Sequence, residues 1–573
     1  MLRITGLIVA LLAAAPRQLE AQVAMPGFAP FRLQPSVINL ASVRAPDHEA
    51  LMEADAAQYR AKHGGGALPQ TQEGARFADA IERNISLDEF RRQAVEGGTV
   101  HTVRIISPGA LGLQVNFAQM VLPAGARMFV YSNDTTRGAF TDQNNKPNHH
   151  FAVVPVPGEA ATVEVFVPDR AAPAAAMVIS SVAHHYRETF FKPRTVGGKR
   201  QLQQTRCQTS PPFTGYMCSL ACQPNINCLP QGAAMDQKHA DVKLIHGDGT
   251  GMCSAQMITN AAQDGRQLLT TAHHCESTDL ARPTEDWIAV FDYRCVQPDL
   301  HDIAPHSCLS GAGYFTDLHF ALCVRTPLPT CLLLLRGGDL HLALMDPCAA
   351  TACSTPGCVD PEEEPSLANS VQGTRPLYRD ILISRCPGWP GSGAPGSPAD
   401  PWWECGGTDI MVVEMLETIP ESYEVFMNGF NAENGVPHAF AGPTGISHPA
   451  GDVTKLALSR APAGVNSWRQ PGPADTHWSV VWEVGGNQGG SSGSAVFDAE
   501  GYQRGVLTGG SGSCTRQLGQ RSSYGRFGFG WNRRGWEWAS ESNSGPELKS
   551  ILDPEERLEC TPWRTDPEVR SRC

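Results

Sequence analysis

The sequence predicts an all-β fold divided into a β-rich N-terminal region and a larger, cysteine-containing C-terminal region. Short runs of alternating β-branched and aromatic residues recur from His101 onward, and each is bounded by Gly, Pro, Asn or Asp, as antiparallel strands usually are. All 18 cysteines lie at or after Cys207 in a chain of 573 residues. The chain therefore contains at least two regions of different chemistry, and its length alone predicts more than one domain.

The charge of the chain excludes some partners. It carries 45 basic and 58 acidic residues, a formal net charge of −13, with no basic block. We therefore expect no nucleic acid and no anionic membrane surface as the main partner. Beyond the N-terminus, no stretch approaches the roughly 18 to 20 apolar residues that a membrane-spanning helix needs.

The first 21 residues predict an export signal. Arg3 supplies the positive charge, an apolar run extends from Ile4 to Ala15, and small and polar residues follow up to Ala21. The alternative is a short membrane anchor, but the run is too short to span a bilayer. We expect a secreted, extracellular protein, in which most cysteines form disulfides.

The region after the signal begins polar and then becomes β-rich. The stretch from Asp47 to Lys62 predicts a helix. The later runs predict an antiparallel β domain over about residues 101–187, and they are TVRIISP, LQVNFAQMVL, ARMFVYS, FAVVPV and ATVEVFVP. No nucleophile and base cluster there, so we expect a folding or capping domain. The basic, loop-like stretch 187–217 is a predicted site of proteolytic cleavage.

Two motifs far apart in the chain carry the candidate chemistry. Residues 253–260 and 268–272 predict two apolar strands joined by a turn, after which the chain continues His-His-Cys275. Residues 489–498 form a Gly/Ser turn that enters a strand. A nucleophilic serine needs such a turn, because it exposes the hydroxyl and aims backbone N–H groups at the substrate oxygen. Each motif alone is ambiguous, since Gly/Ser runs also occur in linkers and most lone histidines are structural.

Together, the sequences TAHHC and GSSGS resemble the TAAHC and GDSGG motifs of the chymotrypsin-like serine proteases. Within that group the chain resembles the secreted lysyl endopeptidases, because six cysteines share their spacing. The resemblance implies a chymotrypsin-like double β-barrel with the active site between the barrels. It also implies three disulfides, which are Cys222–Cys514, Cys228–Cys295 and Cys253–Cys275.

The resemblance implies a Ser-His-Asp triad with Ser492 as the nucleophile. His274 aligns with the catalytic histidine in preference to its neighbour His273. Three aspartates open apolar runs, namely Asp317, Asp339 and Asp409. The segments ETIPESYEVFMNGFNAE and GISHPAGDVTKLALS, which follow Asp409, resemble those after the catalytic aspartate of the lysyl endopeptidases. We therefore expect Asp409 to be the acid.

The same mechanism requires an oxyanion hole, which the resemblance assigns to the backbone N–H groups of Gly490 and Ser492. It requires no metal and no organic cofactor. Thr508, Gly509 and Gly510 match the wall strand that pairs with the substrate backbone, so we expect peptide or protein substrates.

The sequence departs from the family at the specificity pocket and before the nucleophile. Gly486 occupies the trypsin-type position six residues before the serine, and Ser522 stands where lysyl endopeptidases carry their acid. No Asp or Glu occurs from Gly501 to Trp536, so we expect no preference for Lys or Arg substrates. Ser491 replaces the aspartate that binds a freed N-terminus in trypsin-like zymogens, so the RTVGG sequence at 194–198 is interpreted as coincidental.

The predicted organisation is a signal peptide at 1–21, a cysteine-free prodomain at 22–206, a protease domain at 207–556 and a tail at 557–573 with two cysteines. A cysteine-rich insertion at about 300–400 is either a disulfide-bonded loop or a spurious segment. We expect a secreted serine endopeptidase, a zymogen whose partners are its substrates and its own prodomain. The alternative is an inactive protease homologue that acts as an extracellular binding or adhesion protein.

Overall fold

The computed structural model describes most of the N-terminal region and of the matched parts of the C-terminal region. The described residues are 28–63, 75–133, 135–171, 174–187, 219, 223–226, 236–276, 284–294, 321–324, 330–333, 367, 369–381, 407–433, 440–468, 474–510, 520–537 and 542–556. The predicted signal peptide, the tail at 557–573, most of the predicted insertion and the cysteines 222, 228, 295 and 514 lie outside them. Within the described residues, no helix is long and apolar enough to cross a membrane.

The N-terminal domain consists of two sheets packed face to face, with one helix, α1 (His48–His63). Its strands are β1 (Ser36–Asn39), β2 (Ala75–Arg76), β3 (Ala78–Ser86), β4 (Arg91–Val95), β5 (Gly98–Ile106), β6 (Gly112–Val121), β7 (Arg127–Tyr131), β8 (Thr136–Phe140), β9 (Phe151–Ala152), β10 (Val156–Pro157), β11 (Ala160–Pro168) and β12 (Ala176–His185). One sheet has the order β1-β5-β11-β7-β8, with β4 also paired to β5. The other has the order β10-β6-β12-β3, with β9 also paired to β6.

The two sheets enclose one apolar core, because alternate residues of each strand point to the same face. Val103 and Ile105 on β5, Val115 on β6, and Val163 and Val165 on β11 are all fully buried in it. The five sequence runs predicted as strands correspond to β5, β6, β7, β9 with β10, and β11. The helix predicted over 47–62 is α1.

The β structure begins before residue 101, earlier than the sequence pattern indicates. Strands β1, β3 and β4 lie in the region that was expected to be polar, and β12 was not singled out. The sequence of β3, ADAIERNIS, has little β propensity. Pairing with β12 forms this strand, with Ile81 opposite Val182 and Ile85 opposite Ile179. Tertiary contacts therefore override a weak local preference.

The described residues of the C-terminal domain contain two large antiparallel sheets and one two-stranded hairpin. Its strands are β13 (Asp241–Ile245), β14 (Gly251–Ile258), β15 (Leu268–Ala272), β16 (Ile288–Phe291), β17 (Ala321–Val324), β18 (Thr330–Leu333), β19 (Ser370–Gln372), β20 (Thr374–Arg379), β21 (Ile410–Met415), β22 (Thr444–Ser447), β23 (Lys455–Leu458), β24 (Gly464–Asn466), β25 (His477–Trp482), β26 (Ala495–Phe497), β27 (Gln503–Gly510) and β28 (Gln520–Arg526). Two short helices follow, α2 (Phe527–Gly530) and α3 (Leu548–Leu552).

The first sheet has the order β19-β16-β13-β14-β15-β21-β20, and the second has the order β23-β22-β26-β27-β28-β25-β24. Residues of the first sheet form a large buried core with Phe430, Phe527 and Leu548, which come from later in the chain. Strands β17 and β18 form a separate hairpin within the predicted insertion. The predicted all-β fold is confirmed.

Strand β2 of the N-terminal region joins the first C-terminal sheet. Ala75 and Arg76 pair antiparallel with Met252 and Gly251 at the beginning of β14. A shared apolar cluster lies behind this pair and includes Phe77 and Ile245, both of which are fully buried. The N-terminal domain therefore packs directly on the sheet that carries the TAHHC motif.

Two histidines at the end of β12 predict a pH-dependent stability of the N-terminal domain. The Nδ1 atom of His184 shares a hydrogen bond with Ser107 Oγ at 2.7 Å, and its Nε2 atom lies 2.6 Å from His48 Nε2. Burial, the neighbouring His48 and Arg44 lower the pKa of His184 to about 4. Burial and the neighbouring His184 lower the pKa of His185 to about 3.

We expect acidification to destabilise this domain. Between the lowered pKa values and the ordinary value near 6.5, the unfolded chain binds more protons than the folded chain, so stability rises with pH. The contribution of His185 between pH 7 and pH 4 is on the order of 3 kcal/mol. Thermal unfolding of the full chain across this range should show the loss, and His185→Leu should flatten the profile. The exposed His149→Asn is the control, and an unchanged slope in His185→Leu contradicts the prediction.

Candidate active site

His274 and Asp409 meet because two antiparallel strands end side by side. Strand β15 pairs with β21 so that Ala272, the last residue of one, lies opposite Ile410, the first residue of the other. The residues just beyond this pair are the histidines and Asp409. The Nδ1 atom of His274 lies 2.6 Å from Asp409 Oδ2, and its backbone N–H donates to Asp409 Oδ1 at 2.9 Å. Both residues are buried.

The disulfide between Cys253 and Cys275 is present in the structure. It connects β14 to the single 3-10 turn, His273–Cys275, that carries His274. The backbone N–H of the neighbouring His273 also donates to the carbonyl of Asp409 at 2.7 Å, but its ring does not share the contact that the ring of His274 makes with the Asp409 carboxylate. The Nε2 atom of His273 lies 3.8 Å from Glu276 Oε2, and Glu276 accepts two hydrogen bonds of 2.6 Å from Arg379. Of the two histidines, His274 is the one paired with Asp409.

Asp409 has a backbone conformation that non-glycine residues rarely adopt, with φ of 64°. The preceding residue is held firmly. Thr408 donates from its backbone N–H and its hydroxyl to Asp380 Oδ2, at 2.8 and 2.6 Å. Asp380 in turn donates its own N–H to the carbonyl of Ile410 at 2.8 Å. The side chain of Asp380 therefore fixes the turn that carries Asp409.

The turn also requires a glycine at position 407. A Cβ atom there would lie 1.7 Å from Asp380 Oδ1, so the carboxylate of Asp380 packs directly on the Gly407 backbone. The guanidinium of Arg533 lies 3.5 Å from Asp380 Oδ1 and compensates its charge. Asp380 is fully buried, and sequence analysis did not identify it. Its only sequence signal is that it follows a strand, which many structural aspartates do.

Ser492 lies in the loop before β26, and every carbonyl of this loop from Gln488 to Ser492 accepts a hydrogen bond. Those of Gly489, Gly490 and Ser492 accept from residues outside the loop, and the other two accept from N–H groups within it. The N–H groups of Gly490 and Ser492 make no hydrogen bond to another described residue. These two N–H groups are therefore available to an external oxygen.

Residues 488–494 are called the nucleophile loop here, after the role that the sequence predicts for Ser492, and this loop is docked against the first sheet through Ser254 on β14. Ser254 donates its N–H to the carbonyl of Ser492 (2.8 Å) and its hydroxyl to the carbonyl of Gly490 (2.9 Å). Its own carbonyl accepts a hydrogen bond from Thr271 Oγ1 at 2.9 Å. These bonds place the backbone of Ser492 beside the strand that ends two residues before His274.

Gly493 makes this close docking possible. A Cβ atom at this position would lie 2.2 Å from both Ser254 O and Thr271 Oγ1 and 2.9 Å from the backbone nitrogen of Ala272. Gly493 also has φ of 85°, which disfavours other residues. The second glycine of the Gly/Ser motif is therefore required by sterics.

Ser491, which stands where the resemblance to trypsin-like zymogens implies an aspartate, is fully buried and bonded within the protein. Its Oγ lies 3.1 Å from Ser447 Oγ and accepts the N–H of Gln488 at 3.3 Å. These neutral hydrogen bonds close the nucleophile loop. The RTVGG sequence lies outside the described residues.

The predicted pocket residues Gly486, Gly510 and Ser522 come together around a neutral hydrogen-bond cluster. Ser522 Oγ accepts from Trp482 Nε1 at 3.0 Å and from Asn487 Nδ2 at 2.8 Å. Gly510 lies opposite Ser522 in the pairing of β27 with β28, and Asn487 follows Gly486 in the chain. The position of the family acid is therefore occupied by a hydroxyl whose partners are both neutral donors.

Thr508 and Gly509 lie on β27, beside the nucleophile loop. The hydroxyl of Thr508 is 2.9 Å from His477 Nε2, and the other ring nitrogen of His477 is 2.6 Å from Thr476 Oγ1. Burial lowers the pKa of His477 to about 3, so the ring is neutral. Sequence analysis missed His477 and Asn487, because their partners lie on other strands.

The remaining residues that the sequence predicts for the site or its disulfides lie outside the described part of the chain. Asp317 and Asp339, the two other candidate acids, lie outside the described residues. The predicted pairings Cys222–Cys514 and Cys228–Cys295 also lie outside them.

Comparison with known proteins finds a family model that matches the parts of the chain that form this site. The model of the family described as "Lysyl endopeptidase, C-terminal domain" matches residues 217–313 and 399–525. The interval between the two matched parts falls within the predicted insertion. Ser492, His274 and Asp409 all lie in the matched parts.

Among solved structures, the chain is similar to a protease of M. tuberculosis, Rv3671c, in its inactive and active forms, and to AL20, a thermostable serine protease from an extremophilic microorganism. For inactive Rv3671c the identity is 10% and the TM-score 0.24, over 53% of this chain and 92% of that one. For AL20 the identity is 12% and the TM-score 0.24, over 51% of this chain and 92% of that one.

The contacts of Asp380 predict that it positions Asp409. We expect Asp380→Asn to lower kcat for hydrolysis about tenfold or more with little change in KM, because the turn that orients Asp409 loosens. The low-field NMR resonance of the His274 Nδ1 proton should shift or broaden. Thr408→Val should behave similarly and Thr408→Ser should retain activity, because only the serine keeps the hydroxyl donor.

Glu483→Gln is the matched control, since Glu483 is an exposed carboxylate that is paired with Arg460. A variant Asp380→Asn that lowers only the unfolding temperature, with kcat and the resonance unchanged, shows that Asp380 serves stability alone.

Proposed function

We propose that the chain is a trypsin-like serine protease, a secreted endopeptidase made as a precursor, with Ser492, His274 and Asp409 as its triad. The observation that carries the proposal is the 2.6 Å contact between His274 Nδ1 and Asp409 Oδ2, formed where two paired strands end. The docking of the Ser492 loop against the same strand supports it.

In the proposed mechanism, Ser492 Oγ attacks the scissile carbonyl carbon while His274 Nε2 takes the hydroxyl proton. Asp409 holds the imidazole with Nδ1 protonated and stabilises the imidazolium. The N–H groups of Gly490 and Ser492 bind the oxyanion, a contribution of about 3 kcal/mol for a typical donor. His274 then gives its proton to the leaving amine, and water hydrolyses the acyl-enzyme by the same steps in reverse.

We propose that the substrate residue on the acyl side of the cut bond, the P1 residue, is uncharged. The Ser522 cluster offers a hydroxyl, an indole and an amide, and among the described residues no carboxylate is bonded to it. An ammonium or guanidinium placed in this buried cluster would lose its hydration without gaining an ionic partner. This argument applies to Lys and Arg alike.

Secretion and a precursor form belong to the same proposal. The apolar segment at the N-terminus, the 18 cysteines and the disulfide Cys253–Cys275 support an oxidising destination. The basic stretch 187–217 supports cleavage between the two domains. The prodomain is then the first partner of the enzyme.

The proposed nucleophile predicts covalent labelling by a fluorophosphonate probe. We expect labelling of the secreted protein that Ser492→Ala abolishes and that Ser491→Ala largely retains, because the proposed mechanism uses Ser492 alone as the nucleophile, while Ser491 Oγ is bonded to Ser447 Oγ. Mass spectrometry of the labelled peptide checks the position. An unlabelled but folded protein supports the alternative, an inactive homologue that binds extracellular ligands.

The Ser522 cluster predicts which P1 residues the enzyme accepts, and a substitution of Ser522 should change that preference. In a peptide library, the wild type should cut poorly after Lys and Arg. Ser522→Asp should raise kcat/KM for Lys at P1 at least tenfold relative to the wild type, because its carboxylate can accept the bonds from Trp482 and Asn487 and still face a cation. Ser522→Asn is the neutral control of similar size. Efficient wild-type cleavage after Lys contradicts the proposed pocket.

A further inference from the structure

The edge of β14 that faces the active site is shared among three partners. One edge of β14 pairs with β13 along its length, from Met252 to Gln256. On the other edge, β15 pairs only with residues 256–258. Ser254 bonds the nucleophile loop, and β2 of the N-terminal region pairs with residues 251 and 252. The N-terminal region therefore completes this edge two residues before Ser254.

Further hydrogen bonds flank the β2 pairing. The N–H of Phe77 donates to the carbonyl of Thr250 at 2.9 Å. Side chains on β6 reach the same turn, since Gln114 Nε2 donates to Gly247 O and Asn116 Nδ2 donates to Asp248 O, both at 3.1 Å. The turn that leads into β14 is thus held by two separate strands of the N-terminal domain.

The contact between the N-terminal and C-terminal domains is also largely apolar, whereas contacts between domains are commonly more polar. It buries residues of both domains in one cluster. Those from the N-terminal domain are Phe77, Ala78, Ala152, Val154 and Ala183, and those from the C-terminal domain are Ile245, Met252, Ile288, Val290, Tyr293, Leu367 and Val453. Every one of these residues is at most 5% exposed. Separation of the domains would expose this cluster to water, which is unfavourable.

Charged groups lie at the side of the cluster. Lys146 of the N-terminal domain is buried, and its Nζ donates to the carbonyl of Glu285 at 3.1 Å. Burial lowers its pKa to about 8, and the nearby carboxylates of Glu417, Asp286 and Glu285 oppose that shift. His150 Nδ1 lies 3.2 Å from Asp286 Oδ2. The N-terminal domain thus places the ammonium group of Lys146 and the imidazole of His150 beside acidic groups of the C-terminal domain.

We propose that the N-terminal domain is a lasting structural partner of the protease domain, which stays bound after the connecting segment is cut and keeps the active site assembled. Met252, Cys253 and Ser254 are consecutive on β14. The first is buried against the N-terminal domain, the second is disulfide-bonded next to His274, and the third holds the Ser492 loop. Loss of the partner leaves the beginning of this strand paired with β13 on one edge and without a neighbour on the other. The part of the proposal that concerns activity rests on the proposed function.

The test uses the full chain with the recognition sequence of a highly specific protease inserted in the connecting segment, between residues 187 and 217. After cleavage, size-exclusion chromatography shows whether the two parts elute together. Fluorophosphonate labelling of Ser492 reports the state of the active site. We expect co-elution without denaturant, and labelling within about twofold of the uncut protein.

A substitution in the interface between the two domains tests whether the N-terminal domain supports the active site or only lies beside it. Phe77→Ser removes the largest N-terminal side chain of the cluster, and Val37→Ser, at a site that is 60% exposed, is the matched control. After cleavage, Phe77→Ser should release the N-terminal part, and labelling of the remaining part should fall at least tenfold. Added N-terminal part of the wild type should restore it. If uncut Phe77→Ser does not fold, the same separation is made on the cut wild type with urea, followed by refolding of each part alone and together.

Two results overturn the proposal. In the first, the two parts of the cut wild type separate in native buffer. In the second, release of the N-terminal part leaves labelling unchanged or raises it, as an inhibitory prodomain would. If the uncut protein is not labelled at all, the proposed function fails, while co-elution still decides whether the domains remain associated.

Discussion

The candidate site depends on one junction, the contact between Ser254 on the first sheet and the nucleophile loop of the second. Two hydrogen bonds from Ser254 hold the carbonyls of Gly490 and Ser492, and Gly493 allows the backbones to approach within a distance that no side chain would permit. A hydrogen bond between buried groups costs most when one partner is removed, because the other is left unsatisfied. The junction therefore fixes the loop from the sheet that carries His274.

A second constraint acts at Asp409, where a rare backbone conformation has to be maintained. Left-handed φ values at residues other than glycine cost roughly 1 kcal/mol or more and persist only where the surroundings impose them. Here Asp380 accepts two bonds from Thr408 and packs on Gly407, and Arg533 balances its charge. The pairing of β15 with β21 supplies the other half of the geometry. The register of these two strands and the buried carboxylate of Asp380 thus orient the carboxylate of Asp409. In the proposed mechanism, Asp380 itself does not contact the reacting atoms.

The sequence predicted the parts of this arrangement that local motifs encode. The TAHHC and GSSGS motifs located His274 and Ser492, and alternation located most strands of the N-terminal domain. Asp380, Asn487 and Ser254 were missed, because each acts through a partner more than ten residues away and resembles many structural residues locally. Strands β3 and β12 were missed for a related reason, since their pairing depends on contacts across the sheet rather than on propensity. Long-range register is the information that a single sequence does not display.

The two serines that replace family acids, Ser491 and Ser522, have a common physical consequence. A buried carboxylate needs a cation, because an isolated charge in a dry interior is strongly disfavoured. In trypsin-like zymogens and in lysine-specific enzymes, as the family resemblance implies, that cation is a freed N-terminus or the substrate. Here both hydroxyls are satisfied by neutral partners, Ser491 by Ser447 and Gln488, and Ser522 by Trp482 and Asn487. The loop can then be stable without an inserted ammonium, and a neutral substrate side chain can enter without leaving a buried charge unpaired.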